Sequence, residues 1–380
     1  MSKFKTTVTE LLESADIRIN GQRPYDIQVH NDDFYARVLS GGTLAFGESY
    51  MDGWWDCDAL DQLAVRLLSA HLDKKVKATN PSVLLTFLGA YLFNTQSKGR
   101  AYIVGEKHYD MGNNLFSLML DKRMNYSCAY WRHAKDLDQA QVDKMDLICR
   151  KMHLKPGMKV LEIGCGWGGF AKYTAENYEV NVYGITISKE QEQYAKESCK
   201  GLDVSFELKD YRELNTQYDR IISIGMFEHV GYKNYKTYMK VAHRCLKDDG
   251  LFLLHTIGRN SSVQATDSWI NKYIFPNGMT PSANQISAAI EDLFVIEDWH
   301  SFGQDYDKTL MAWHENFQNN LSKLKDSYDE RFQRMWQYYL LMCAGSFRAR
   351  RNQLWQLVLT KNGIRGGYEY QNNSRFNQLI

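Results

Sequence analysis

The sequence predicts a doubly wound α/β domain of seven strands with a helical lid insertion, preceded by a smaller, mainly helical N-terminal domain. Three observations carry this expectation. From Leu154 onward, apolar runs of strand length alternate with helix-length segments, the order that builds a parallel sheet with helices on both faces. A glycine-rich loop, LEIGCGWGGF (161–170), follows the first of these runs and opens a helix, the place where such sheets meet their ligands. Ahead of it, TVTELLESADI, DFYARVLSGG and DALDQLAVRLLSAHL repeat apolar residues at helical spacing, with turn glycines between.

The strands follow in order. KVLEIG (159–164), NVYGITI (181–187), VSFEL (204–208), RIISIGMF (220–227) and LFLLHTIG (251–258) read as the first five. Helical patterns separate most of them, including NYKTYMKVAHRCLKDDG, whose final glycine reads as a helix cap. LFVIEDW (293–299) and QLWQLVL (353–359) complete the seven, and the helical stretch of about 306–349 between them is placed to roof a site. The expected division is therefore 1–100 for the N-terminal domain and 101–380 for the α/β domain.

A chain of 380 residues exceeds a single minimal core, and its 44% hydrophobic and 24% charged residues with only 5 prolines argue against long disorder. The formal net charge of +1 supplies no global attraction to nucleic acid, so no nucleic-acid partner is expected. Cysteines 57, 128, 149, 165, 199, 245 and 343 make an odd count without a CxxC pair, which fits a reducing cytoplasm. MSKFKTTVTELLESADI lacks the order of a secretory signal, and no apolar run reaches the ~18 residues of a membrane span. In 71–100, Lys74, Lys75, Lys77, Lys98 and Arg100 flank the apolar stretch from Val83 to Phe93. That segment suits either an anionic membrane surface or a buried connecting helix with solvated ends.

Gly164, Gly166 and Gly169 satisfy the GxGxxG spacing of a dinucleotide loop. That reading also requires an acidic residue about 20 positions on, at the end of the second strand. GITIS (184–188) has no carboxylate there; Glu162 instead stands two residues before the first glycine, where it would crowd a pyrophosphate and suit a cationic ligand. The acidic-x-G-x-G spacing after LKPGMKV resembles the first motif of S-adenosylmethionine-dependent methyltransferases.

Further motifs make the resemblance specific. YDMGNNLF (109–116), NYSCAYW (125–131), LEIGCGWGG (161–169), GITISKEQ (184–191), GMFEHVG (225–231) and LLHTIG (253–258) are similar to those of cyclopropane-fatty-acyl-phospholipid synthases. GESYMDGWW (47–55), NKYIFPNG (271–278), DYDKTLMAW (305–313) and CAGSFRARRNQLWQLV (343–358) carry the similarity over nearly the whole chain, up to about Lys361. The resemblance implies a class I methyltransferase fold and a reaction in which a cis double bond of a phospholipid acyl chain takes the methyl of S-adenosylmethionine and closes a cyclopropane ring. It implies a bound bicarbonate as base, cradled by Glu228, His255, the Ile257 backbone, Tyr306 and the Cys128 backbone amide. For the cofactor it implies Tyr126, Ser127, Glu162, Gly164, Cys165, Gly166, Thr186, Ile187, Gln191, Tyr211 and Arg212. It also implies a homodimer in peripheral contact with the inner face of the membrane.

Such a site needs a dry apolar groove and aromatic faces, each of which stabilises a cation by about 0.5–2 kcal/mol; Tyr126, Tyr130, Phe227, Tyr306 and Trp313 are candidates, with core packing as their alternative. Cys343 matches a cysteine once favoured as catalytic in the family. Direct methyl transfer needs no thiolate, so Cys343 is expected to line the site. For Cys128, no ligand spacing supports a metal, and a substrate alkene that is itself the nucleophile leaves the thiol no role. A related methyltransferase that stops at a methyl branch shares the cofactor loop. A non-catalytic lipid- or cofactor-binding protein would be expected to have lost the base cradle.

Overall fold

A computed structural model describes residues 3–72 and 112–370. Packing divides them into two units, one of 3–72, 264–277 and 306–352, the other of 112–263, 278–305 and 353–370. The expected boundary near residue 100 and the apolar stretch from Val83 to Phe93 lie outside the described residues.

The first unit holds helices α1 (Lys3–Glu13), α2 (Phe34–Met51) and α3 (Leu60–Ser69) at the positions the apolar spacing predicts. Two short strands, β1 (Gln28–Val29) and β2 (Trp55–Asp56), pair antiparallel between them; at two residues each they leave no periodicity to read. Residues 306–352, which include the stretch of about 306–349 expected as a lid, group with these N-terminal helices. Their longest helix, Glu330–Arg348, crosses α3 closely: a Cβ on Gly345 would lie 2.3 Å from the Asp61 carbonyl oxygen. Only glycine admits that approach.

In the second unit, helices α4 (Asn113–Met119) and α5 (Leu137–Lys151) precede the sheet. Its strands are β3 (Lys159–Ile163), β4 (Asn181–Thr186), β5 (Val204–Leu208), β6 (Tyr218–Ile224), β7 (Leu246–Arg259), β8 (Val295–Ser301) and β9 (Asn352–Thr360). They lie in the order β5-β4-β3-β6-β7-β9-β8. β3 to β7 pair in parallel, whereas β8 and β9 are antiparallel, so the sheet is mixed where the sequence pattern suggested it was parallel. Burial on both faces explains the nearly continuous apolar runs. Leu161, Ile221, Phe252 and Leu254 belong to one core, while Val160, Ile222, Leu251 and Leu253 belong to the other.

Three boundaries differ from the expectation. The fourth strand stops at Ile224, because Gly225 takes φ 66° and the chain turns into a short 3-10 helix, Phe227–His229. Gly250 does not cap the preceding helix, which ends at Cys245; it lies within β7. Register there jumps from Tyr218↔Leu246 to Arg220↔Leu251, so KDDG forms a bulge whose glycine fits against the Leu246 side chain. The sixth strand begins at Val295, because Leu293 and Phe294 donate back to the Ile290 carbonyl and pack in the core.

Strand order reverses at β3, flanked by β4 on one side and β6 on the other. Ligand crevices open at the carboxyl ends of strands at such a switch point.

Candidate active site

At that point a cavity opens, lined by Tyr126, Ser127, Glu162, Cys165, Gly166 and Gln191 of the expected cofactor residues, together with Met124, Asn125, Lys144, Trp167, Gly169, Phe170, Ile224 and Gly225. Gly164 and Gly166 take φ of 84° and 53°, and the amides of Gly164 and Cys165 both donate to the Ile185 carbonyl. This turns the loop back under β4. A Cβ on Gly164 would meet Met226 at 2.8 Å, while one on Gly166 would meet nothing within 4 Å. Gly166 therefore leaves open space beside the backbone.

Thr186 Oγ1 donates to Gln191 Oε1 at 2.8 Å, and Ser188 caps the next helix through the Gln191 amide. Thr186 thus holds Gln191 toward the cavity. Ile187 is half-buried between them. Tyr211 and Arg212 follow β5 on a short 3-10 turn outside the cavity lining. Arg212 pairs with Asp210 at 2.7 Å and stacks over the Tyr211 ring, whose buried hydroxyl has no hydrogen-bond partner.

Glu162 is 2% exposed, and its Oε2 also lacks a partner. Burial pushes its carboxyl up to about 8, against the opposing pull of Lys144. Cys165 is buried beside it, and burial raises its thiol well above the usual range, so it stays a protonated, inert wall of the loop.

The second constellation lies where β6 and β7 end. Register pairs Ile224 with His255, and the Gly225 amide donates to the His255 carbonyl. Glu228, on the 3-10 turn, accepts from the Ile257 amide through Oε1 at 2.7 Å. The Ile257 N–H, expected to face a bound anion, is thus engaged in fixing the carboxylate. Glu228 Oε2 is buried without a partner, and burial pushes its carboxyl up to about 7.

His255 is 1% exposed, with Gln356 Nε2 at 3.2 Å from its Nδ1. With the amide nitrogen donating, the ring hydrogen sits on Nε2, which has no partner. Burial holds the ring neutral, aided by Lys144, Lys151 and His300. The site therefore offers one donor and one carboxylate oxygen, both desolvated.

Cys128 is fully buried in the loop before α5, its thiol donating to the Ala129 carbonyl at 3.2 Å. The same loop is tied down by Trp131, whose amide donates to Asp305 at 2.8 Å. Of the aromatic candidates, Phe227 is fully buried and stacks on Tyr235 at 4.3 Å, so it packs the core. Tyr306 and Cys343 belong to the first unit. Tyr306 stacks on Phe347 at 4.7 Å and meets Trp313 edge-on. Cys343 is half-buried, and burial pushes its thiol up to about 12, too high for a thiolate at neutral pH.

Sequence reasoning missed Gln141, Lys144 and Gln356. All three are fully buried polar residues at core positions, on α5 and on β9. Their signal was polar side chains on otherwise apolar faces.

The family model described as mycolic acid cyclopropane synthetase matches residues 96–357. The chain belongs to that family. The cyclopropane-fatty-acyl-phospholipid synthase of Escherichia coli (strain K12) is 57% identical over 359 residues, 94% of this chain and 94% of that one. Two solved structures of cyclopropane synthases align at 32% identity over 68% of this chain and 98% of theirs: MmaA2 from Mycobacterium tuberculosis with TM-score 0.65, and CmaA1 complexed with SAH and CTAB with TM-score 0.64. Cyclopropane synthetase membership thus covers both the glycine-loop cavity and the Glu228–His255 pair.

Proposed function

We propose that this chain transfers a methylene unit from S-adenosylmethionine to cis double bonds of unsaturated phospholipid acyl chains, closing cyclopropane rings. The observation that carries the reading is the pair of buried, unpartnered atoms Glu228 Oε2 and His255 Nε2 at the strand ends beside the glycine-loop cavity. The 57% identity to the Escherichia coli synthase over nearly the whole chain supports the substrate class.

Tyr126, Ser127, Glu162, Gly166 and Gln191 would hold the cofactor. The open space at Gly166 admits its body, and the unpartnered Glu162 Oε2 suits one of its donors. Bound there, S-adenosylmethionine supplies an electrophilic methyl. The alkene is a poor nucleophile, and the cation left by its attack must lose a proton before water intervenes, so a dry base is required.

Glu228 and His255 fit a bicarbonate as that base. His255 Nε2–H would donate to one oxygen of the anion, and the Glu228 carboxylate would accept from its hydroxyl. The Cys128 amide joins the cradle in this reading. Ile257 contributes by holding Glu228.

The reading includes a homodimer in peripheral contact with the inner face of the cytoplasmic membrane, where the phospholipid resides. Among the described residues no helix is long and apolar enough to cross a membrane.

The test is incubation of purified protein with S-adenosylmethionine and vesicles of unsaturated phospholipid, followed by mass spectrometry and proton NMR of the acyl chains. A gain of one CH2 with cyclopropane protons is expected. The same gain without ring protons would assign a methyl-branching reaction instead, and no change with bound cofactor would leave a non-catalytic protein.

A further inference from the structure

Helix α5 ties the loop before it down through two buried side chains. Lys144 Nζ lies 2.9 Å from Ser127 Oγ and 3.5 Å from Asn125 Oδ1. Gln141 Nε2 donates to the carbonyl oxygens of Ser127 at 2.9 Å and Asn125 at 3.3 Å. Both side chains are fully buried, and Lys144, Asn125 and Ser127 all line the glycine-loop cavity. From the opposite side, Asp121 accepts from the Asn125 amide at 2.7 Å and side chain at 2.9 Å.

We infer that Lys144 is a positioning residue of the cofactor site: its ammonium fixes Ser127 so that the serine hydroxyl hydrogen is presented to an acceptor of the bound cofactor. The inference rests on the cofactor reading above. An ammonium has donors only, so Ser127 Oγ can only accept from it. The hydroxyl hydrogen is then free to point into the cavity. Burying a lysine costs several kcal/mol, and an apolar side chain of similar length would fill the same space more cheaply. A stability role alone therefore does not account for a lysine here. The groups facing it are Asp121, Cys128 and Glu162, and burial lowers its ammonium to about 8, which keeps it charged at neutral pH and below.

The test measures binding of S-adenosylhomocysteine by calorimetry together with thermal melting. Lys144→Met should melt at or above the wild-type temperature yet bind at least about tenfold more weakly, the scale of one hydrogen bond to a charged or polar ligand group. Ser127→Ala should lose a similar factor, and the double variant should bind no worse than either single one. Lys144→Gln, which keeps a donor, should recover most of the affinity and serves alone if the methionine variant does not fold. Unchanged affinity in folded Lys144→Met, multiplying losses in the double variant, or a folded Lys144→Gln no better than Ser127→Ala would each overturn the inference. Wild-type protein that binds no S-adenosylhomocysteine would sink the cofactor reading instead.

Discussion

Glu228→Gln separates the carboxylate's burden on stability from the part in proton removal proposed for it. The amide keeps an oxygen for the Ile257 N–H at 2.7 Å and keeps the side-chain volume, so it removes ionisation and turns the second oxygen into an N–H donor. Burial raises the carboxyl from 4.5 to about 7. At about 1.4 kcal/mol per pH unit, ionising it in the folded state costs about 3 kcal/mol more than in the unfolded chain. Because the folded state holds the proton more tightly, this group's stabilising contribution is complete below about pH 4.5 and is lost as pH rises through about 7. The variant should therefore match wild type in denaturant unfolding at pH 5 and exceed it by about 2–3 kcal/mol at pH 9. Turnover should fall by about 10²-fold or more, the usual weight of a group in proton transfer, with S-adenosylhomocysteine affinity unchanged. A stability difference that does not vary with pH would refute the buried carboxylate, and equal losses of turnover and affinity would move Glu228 into the cofactor site.

Gly164→Ala forces a Cβ to within 2.8 Å of Met226 at φ 84°, so it should lower stability by about 1–3 kcal/mol and weaken cofactor binding; a melting curve identical to wild type counts against the tight turn. Cys343, with its thiol pushed up to about 12, should react with iodoacetamide only slowly at pH 8, and Cys343→Ser should retain most of its turnover. Cys128→Ser keeps both the backbone amide and a donor for the Ala129 carbonyl at 3.2 Å, so substantial activity should survive; complete loss would restore a role for the thiol.

The central strands β3, β6, β7 and β9 were legible because burial on both faces leaves apolar runs of strand length, while β5 and β8 at the edges are more exposed. The antiparallel β8/β9 pair was not, since nothing in LFVIEDW or QLWQLVL distinguishes a strand's direction. The glycine loop was legible for a local reason: positive φ at Gly164 and Gly166 and the close approach at Gly164 leave their mark in residue type. Tyr126, Ser127, Glu162, Cys165, Gly166 and Gln191, named from motifs, do line one cavity. Tyr211 and Arg212 do not line it, because Arg212 turns to Asp210. Lys144 and Gln356 escaped because a lone polar residue in an apolar pattern acquires meaning only from what it faces, Ser127 in one case and His255 in the other.

β9 is the last strand of the described chain, yet it lies in the sheet between β7 and β8, and it brings Gln356 to the His255 ring. β8 joins the sheet only through β9, so the far edge of the sheet and the orientation of a buried imidazole near its middle depend on the same late stretch of chain.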